Sequence, residues 1–163
     1  MTVAAHGEDI YQNQITYDFS VNTNPLPLPE ILQKRMAEAA VHSNRYPQYD
    51  NVLLRERLAA LYGFSTEEVV CGNGASELFV AIVHALRPKR VGILAPSFSG
   101  YAWAAQTVGA EVCSIPLQEE NNFAMDMAQM ESLCRHLDGI SLLFLANPAN
   151  PAGNKMEASL LET

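Results

Sequence analysis

The chain has 163 residues, 48% of them hydrophobic, with ten basic and eighteen acidic residues and a formal charge of -8. That length allows a domain burying roughly two thirds of its unfolded surface. An acidic surface repels a polyphosphate backbone and so excludes nucleic acid as a natural partner, without excluding a small phosphate held by backbone N–H groups.

No stretch approaches the ~20 apolar residues of a membrane span, and the start has no basic region followed by an apolar run. A cytoplasmic protein is expected. Cys71, Cys113 and Cys134 are odd in number and lack metal-type spacing, so they read as buried or half-buried free thiols.

Residues 1–28 crowd Asn13, Asn22, Asn24, Pro25 and Pro27 together, which predicts an extended arm rather than a helix. Pro29 suits the first turn of a helix running to about His42, with Ile31, Leu32 and Met36 on one face. A polar, aromatic linker, Asn44 to Asp50, leads to a second helix in which Leu54, Leu58 and Leu61 recur at helical spacing and Gly63 terminates.

Beyond it the pattern alternates. Val69-Val70-Cys71 predicts a short strand, Ala75–Arg87 a helix stopped by Pro88, Val91–Ala95 a strand, and Ser99–Val108 a helix closed by Gly109. Glu111–Leu117 predicts a strand, Asp126–His136 a helix and Ile140–Ala146 a strand, with a further helix at the end of the chain. Such alternation predicts an α/β fold, a mainly parallel sheet with helices on both faces. The expected organisation is an arm and helices over 1–63 and an α/β domain over 64–163.

Three loops, 72–77, 96–101 and 147–153, each follow a predicted strand, and ligands of open α/β sheets bind beyond the carboxyl ends of the strands. Gly72-Asn73-Gly74-Ala75-Ser76-Glu77 reads equally as a phosphate cradle at a helix start or as a plain turn capped by Ser76. Glu77 breaks a dinucleotide fingerprint, and no Walker lysine follows. Phe98 reads as a core ring over the sheet end or as a stacking surface for a flat ligand, whereas Tyr101 and Trp103 read as packing. Asn147 and Asn150 each precede proline, so each is an ordinary turn residue or an amide presented to a ligand oxygen.

Taken in order, the segments RYPQYD, GNGASE, PSFSGY and NPANPAG resemble pyridoxal-phosphate enzymes of fold-type I, the class I/II aminotransferase family. The likeness spans nearly the whole chain and lies nearest the branches of histidinol-phosphate aminotransferase and threonine-phosphate decarboxylase. It implies pyridoxal 5'-phosphate as cofactor, its phosphate held by Gly74, Ala75 and Ser76, its ring stacked on Phe98 and its 3-hydroxyl oxygen bonded by Asn150. Tyr46 resembles a tyrosine that reaches a neighbouring subunit's cofactor phosphate, which implies a homodimer.

On the same resemblance His6, Gly7, Asn22 and Asn150 contact a phosphorylated amino acid or amino alcohol. His6-Gly7 followed by the arm Asp18 to Pro25 resembles the decarboxylase of cobalamin biosynthesis; the aminotransferase shares an Asn-x-Asn-x-Pro-like arm but usually lacks the His-Gly start. The family more often has Thr where Ala152 stands and Gly where Glu8 stands.

Lys34, Lys89 and Lys155 are the only lysines, and none has the Ser-x-x-Lys context of a Schiff-base site. The family places that lysine, the aspartate for the pyridine nitrogen and the substrate arginines further on. Without that amine these residues alone are expected to show no turnover, and to fold poorly because strands expected from the remainder would leave a sheet edge exposed and a core uncovered. The non-catalytic alternative is a degenerate cofactor-binding or dimerisation module.

Overall fold

The computed structural model of the chain describes residue 14, residues 16–19 and residues 21–161. They fall into two compact units, one running to Cys71 and the other beginning at Gly72.

In the first unit the described residues ahead of Pro29 form no helix or strand. Helix α1 (Glu30–Ala40) starts one residue later than expected, because Pro29 has an extended ψ of 138° and caps the helix instead of entering it. Helix α2 (Val52–Tyr62) ends at Gly63 in the left-handed region, φ 76°. Arg55 fastens the chain beyond it: its Nε donates to Val69 O at 2.7 Å and its Nη2 to Thr66 O at 2.6 Å. A 3₁₀ turn over Thr66–Glu68 is closed by a reciprocal cap, in which the Glu68 carboxylate accepts the Ser65 N–H at 2.8 Å. That bond holds the Glu68 carboxyl below the ordinary carboxylate range.

The strand expected at Val69–Cys71 does not form. Val69 donates its N–H to Thr66 O, and its carbonyl is taken by Arg55, so its ladder groups are engaged locally.

The second unit contains α3 (Ala75–Leu86), β1 (Arg90–Ala95), α4 (Ser99–Thr107), β2 (Glu111–Pro116), α5 (Met127–His136), β3 (Leu142–Phe144) and α6 (Ala158–Leu161). The three strands are parallel in the order β2-β1-β3. The chain moves outward from β1 to β2 and then back across β1 to β3. Right-handed crossovers in opposite directions put their helices on opposite faces.

The alternating side chains show this. Val91 and Ile93 of β1, with Val112, Leu142 and Phe144, pack on Ala105, Tyr101 and Ala102 of α4. Leu94, Ile115 and Leu143 point the other way, onto Met130 and Leu133 of α5. Gly92 lets the second face close: a Cβ there would lie 2.9 Å from Leu143 Cδ1 and 3.1 Å from Ile140 Cδ1. Helix α3 packs on α4.

Helix α5 begins just after Asp126, which caps it: the carboxylate accepts the Gln129 N–H at 2.8 Å. Strand β3 is shorter than its hydrophobic run, because β1 pairs with it only to the Ile93–Phe144 level and the chain then turns into the Asn-Pro loop. Two expectations about packing are corrected. Trp103 is 48% exposed, since it sits on the outer side of α4 beside His84 of α3. Cys134 is exposed on α5, while Cys71 and Cys113 are half-buried.

Candidate cofactor site

The switch in strand order at β1 places a crevice beyond the carboxyl ends of β1 and β3. Pro96 and Ser97 from β1, Ala146 and Asn150 from the loop after β3, and Met156 line it together. Sequence-distant residues Pro96 and Ser97, and Ala149 and Asn150, therefore meet at one place.

Asn147 and Asn150 differ there. The Asn147 carboxamide is engaged at both its atoms by the Met156 backbone, accepting the N–H and donating to the C=O. The Asn150 side chain is exposed and has no hydrogen-bond partner among the described residues. Asn150 keeps donor and acceptor available for a ligand.

Phe98 is half-buried immediately before α4. It meets Phe79 and Tyr101 edge to face, at centroid distances of 6.4 Å and 5.7 Å. Its ring thus belongs to an aromatic cluster formed with α3 and β3. Gly100 allows the ring to fold back against the helix start, since a Cβ at position 100 would overlap it.

Gly74 holds φ 81°, a conformation open to glycine and strained for other residues, and so turns the chain into α3. No side chain caps this helix, so the N–H groups of its first turn, at Ala75 and Ser76, face the positive dipole end with no protein partner supplied by a cap. Glu77 instead reaches back to the Asn73 N–H. Uncapped N–H groups at a helix start suit an anion.

Ser76 does not line the Asn150 crevice. It is exposed and lies on a neighbouring groove with Val80, His84 and Trp103, one turn ahead of the Phe79 that touches Phe98. In the first unit Tyr46 is 92% exposed and Asn22 is exposed. His6 and Gly7 lie outside the described residues. Lys89 sits at the amino end of β1, the end of the sheet away from the crevice.

Sequence reasoning missed Phe79 and Phe144, which frame Phe98 and Tyr101. Their helical and strand spacing marked them as apolar, but nothing local marked them as neighbours.

The family model for aminotransferase class I and II matches residues 14–163. The threonine-phosphate decarboxylase of Salmonella typhimurium is 32% identical over 145 residues, covering 89% of this chain and 39% of that protein. The histidinol-phosphate aminotransferase of Pyrococcus furiosus is 34% identical over 135 residues, covering 82% of this chain and 38% of that protein. A histidinol-phosphate aminotransferase from Sinorhizobium meliloti, solved in complex with pyridoxal-5'-phosphate, superposes with a TM-score of 0.69 at 22% identity, over 83% of this chain and 36% of that one.

The chain belongs to the class I and II aminotransferase family, whose members depend on pyridoxal phosphate. It spans about two fifths of the length of these two curated relatives. No helix among the described residues is long and apolar enough to cross a membrane.

Proposed function

We propose that this chain supplies the cofactor-phosphate, ring-stacking and ring-oxygen contacts of a pyridoxal-phosphate enzyme acting on a phosphorylated amino acid. The reaction is decarboxylation of L-threonine O-3-phosphate. The observation that carries the cofactor reading is the division of labour after β3, where Asn147 closes the loop and leaves the Asn150 carboxamide open beside Ser97.

The α3 N-terminus and the Ser76 hydroxyl hold the phosphate dianion, the Phe98 ring lies against the pyridine face, and Asn150 Nδ2 donates to the ring oxygen. When bound, the cofactor supplies an electron sink for the pair released at the substrate's Cα. Pro96 and the aromatic cluster exclude water from that side. On this reading residues 1–63 serve the substrate and dimer side: Tyr46 meets the partner subunit's cofactor phosphate, and His6, Gly7, Asn22 and Asn150 meet substrate. The family resemblance places the covalent lysine outside the segment matched here.

Similarity to both branches leaves transamination of histidinol phosphate as the second reading. The sequence feature favouring decarboxylation is the His6-Gly7 arm. The test uses the gene product extended to the relatives' length and loaded with pyridoxal phosphate, assayed for carbon dioxide release and for keto-acid-dependent amino transfer. Carbon dioxide from L-threonine O-3-phosphate is expected. Amino transfer alone selects the second reading, and a protein with no borohydride-trappable adduct is a binding module.

A further inference from the structure

The two Asn-Pro pairs after β3 are alike in sequence, and the structure gives them different work. Asn147 Oδ1 accepts the Met156 N–H at 3.0 Å, and Asn147 Nδ2 donates to Met156 O at 3.1 Å. One carboxamide thus brackets the N–H and the C=O of one residue, as a paired strand residue would.

Met156 is a firm anchor. It is 6% exposed, and its side chain lines the same crevice as Asn150. Within the loop, the Ala149 N–H donates to Asn154 O and the Gly153 N–H to Ala149 O, both at 2.7 Å. Asn154 Nδ2 donates to Asn122 O, which ties the loop to the turn after β2. These links fix the stem and both flanks of the tip, and none engages the Asn150 side chain. A donor held on a closed loop gives up little further freedom when it meets a ligand.

We infer that Asn147 is a positioning residue, whose clamp on Met156 sets where the Asn150 carboxamide meets a ligand oxygen. The identity of that ligand rests on the cofactor reading above; the clamp does not.

The test uses the gene product extended to the relatives' length and compares it with its Asn147→Ala, Asn147→Asp, Asn150→Ala and Asn147→Ala/Asn150→Ala variants. Amide hydrogen exchange at Met156 and Gly153 reads the loop, and titrations with pyridoxal phosphate and with inorganic phosphate read the site. Asn147→Ala is expected to quicken exchange at Met156 and to weaken pyridoxal phosphate about tenfold, with inorganic phosphate unchanged. Asn147→Asp keeps the shape and the acceptor but loses the donor, and falls between.

Because Asn147 acts through Asn150, its substitution in the Asn150→Ala background costs no further affinity. Additive losses overturn the inference, as does faster exchange at Met156 with pyridoxal phosphate affinity intact. An unaltered protein of the relatives' length that binds no pyridoxal phosphate overturns the cofactor reading and the positioning role with it. Unchanged Met156 exchange in Asn147→Ala removes the clamp alone, so the two failures are told apart.

Discussion

The ring of Tyr101 lies flat on that of Phe144, with centroids 4.8 Å apart and 12° between the planes. One residue comes from α4 and the other ends β3, so the pair joins a crossover helix to the strand that carries the Asn-Pro loop. Phe79 meets both edge-on, at 4.7 Å and 5.8 Å. Offset and edge contacts of this kind add about 1 kcal/mol each beyond the area they bury.

Burial in this cluster pushes the Tyr101 phenol above its ordinary value of 10.0. The folded state favours the neutral phenol, so the unfolded chain releases its proton first as pH rises. The stability this gives is complete below the unfolded value and is lost as pH climbs through the folded one. Tyr101→Phe is therefore expected to match the parent at neutral pH and to lose less stability toward about pH 11. Urea denaturation at stepped pH measures it, and parallel alkaline limbs for the two proteins exclude the phenol as the cause.

Arg55 substitutes for a strand partner by taking two backbone carbonyls, of Thr66 and Val69. A guanidinium reaches both at once, whereas an ammonium on a flexible stem does not hold the same fork. Arg55→Ala is expected to cost about 2 kcal/mol, and Arg55→Lys to recover less than half of it. The denaturation midpoint reports the loss, and hydrogen exchange at the amides of 66–70 locates it. An Arg55→Lys protein as stable as the parent removes the argument from geometry.

Glu68 is a local acid sensor in the same unit. Its carboxyl is lowered first by the Ser65 N–H and then by the Ser65 side chain. A carboxylate with a lowered folded value contributes fully above its ordinary 4.5 and loses that contribution as pH falls through the folded value. Glu68→Gln is expected to flatten the acid limb of the stability profile. Thermal melts from neutral to about pH 3 test this, and an unaltered acid limb refutes it.

The legible parts of the fold were those set by neighbours along the chain. Gly63 ends α2, Asp126 caps α5, and alternation along β1 separates Val91 and Ile93 from Leu94. The strand expected at Val69–Cys71 failed because Arg55, 14 residues earlier, engages the Val69 carbonyl. Hydrophobicity marks a segment as apolar but does not say whether a ladder partner awaits it. Trp103 reads as core by residue type, yet its face of α4 is half uncovered.

At the candidate site, chain order brought the loops of β1 and β3 to one crevice, as strand-end logic requires. Nothing local distinguishes Asn147 from Asn150, since each precedes proline. The distinction is made by Met156, nine residues beyond Asn147. The approach of Phe98 to Gly100 depends on a ring orientation that spacing does not encode.

That approach separates fold from site. Gly100 is the second residue of α4, where alanine is favoured over glycine by about 1 kcal/mol in helix propensity. A Cβ at this position nevertheless overlaps the Phe98 ring, so the ring must swing out of its edge contacts with Phe79 and Tyr101. Two edge contacts at about 1 kcal/mol each outweigh a helix gain of about 1 kcal/mol, so a net loss of about 1 kcal/mol is expected, which moves a melting temperature by only a few degrees. Stacking does not tolerate the movement. Gly100→Ala is expected to keep the melting temperature within a few degrees, to leave inorganic phosphate binding unchanged, and to weaken pyridoxal phosphate about tenfold. Calorimetric titration beside a thermal melt measures all three. If Phe98 moves while pyridoxal phosphate affinity holds, the ring is a cover for the sheet end and the cofactor's flat face lies elsewhere.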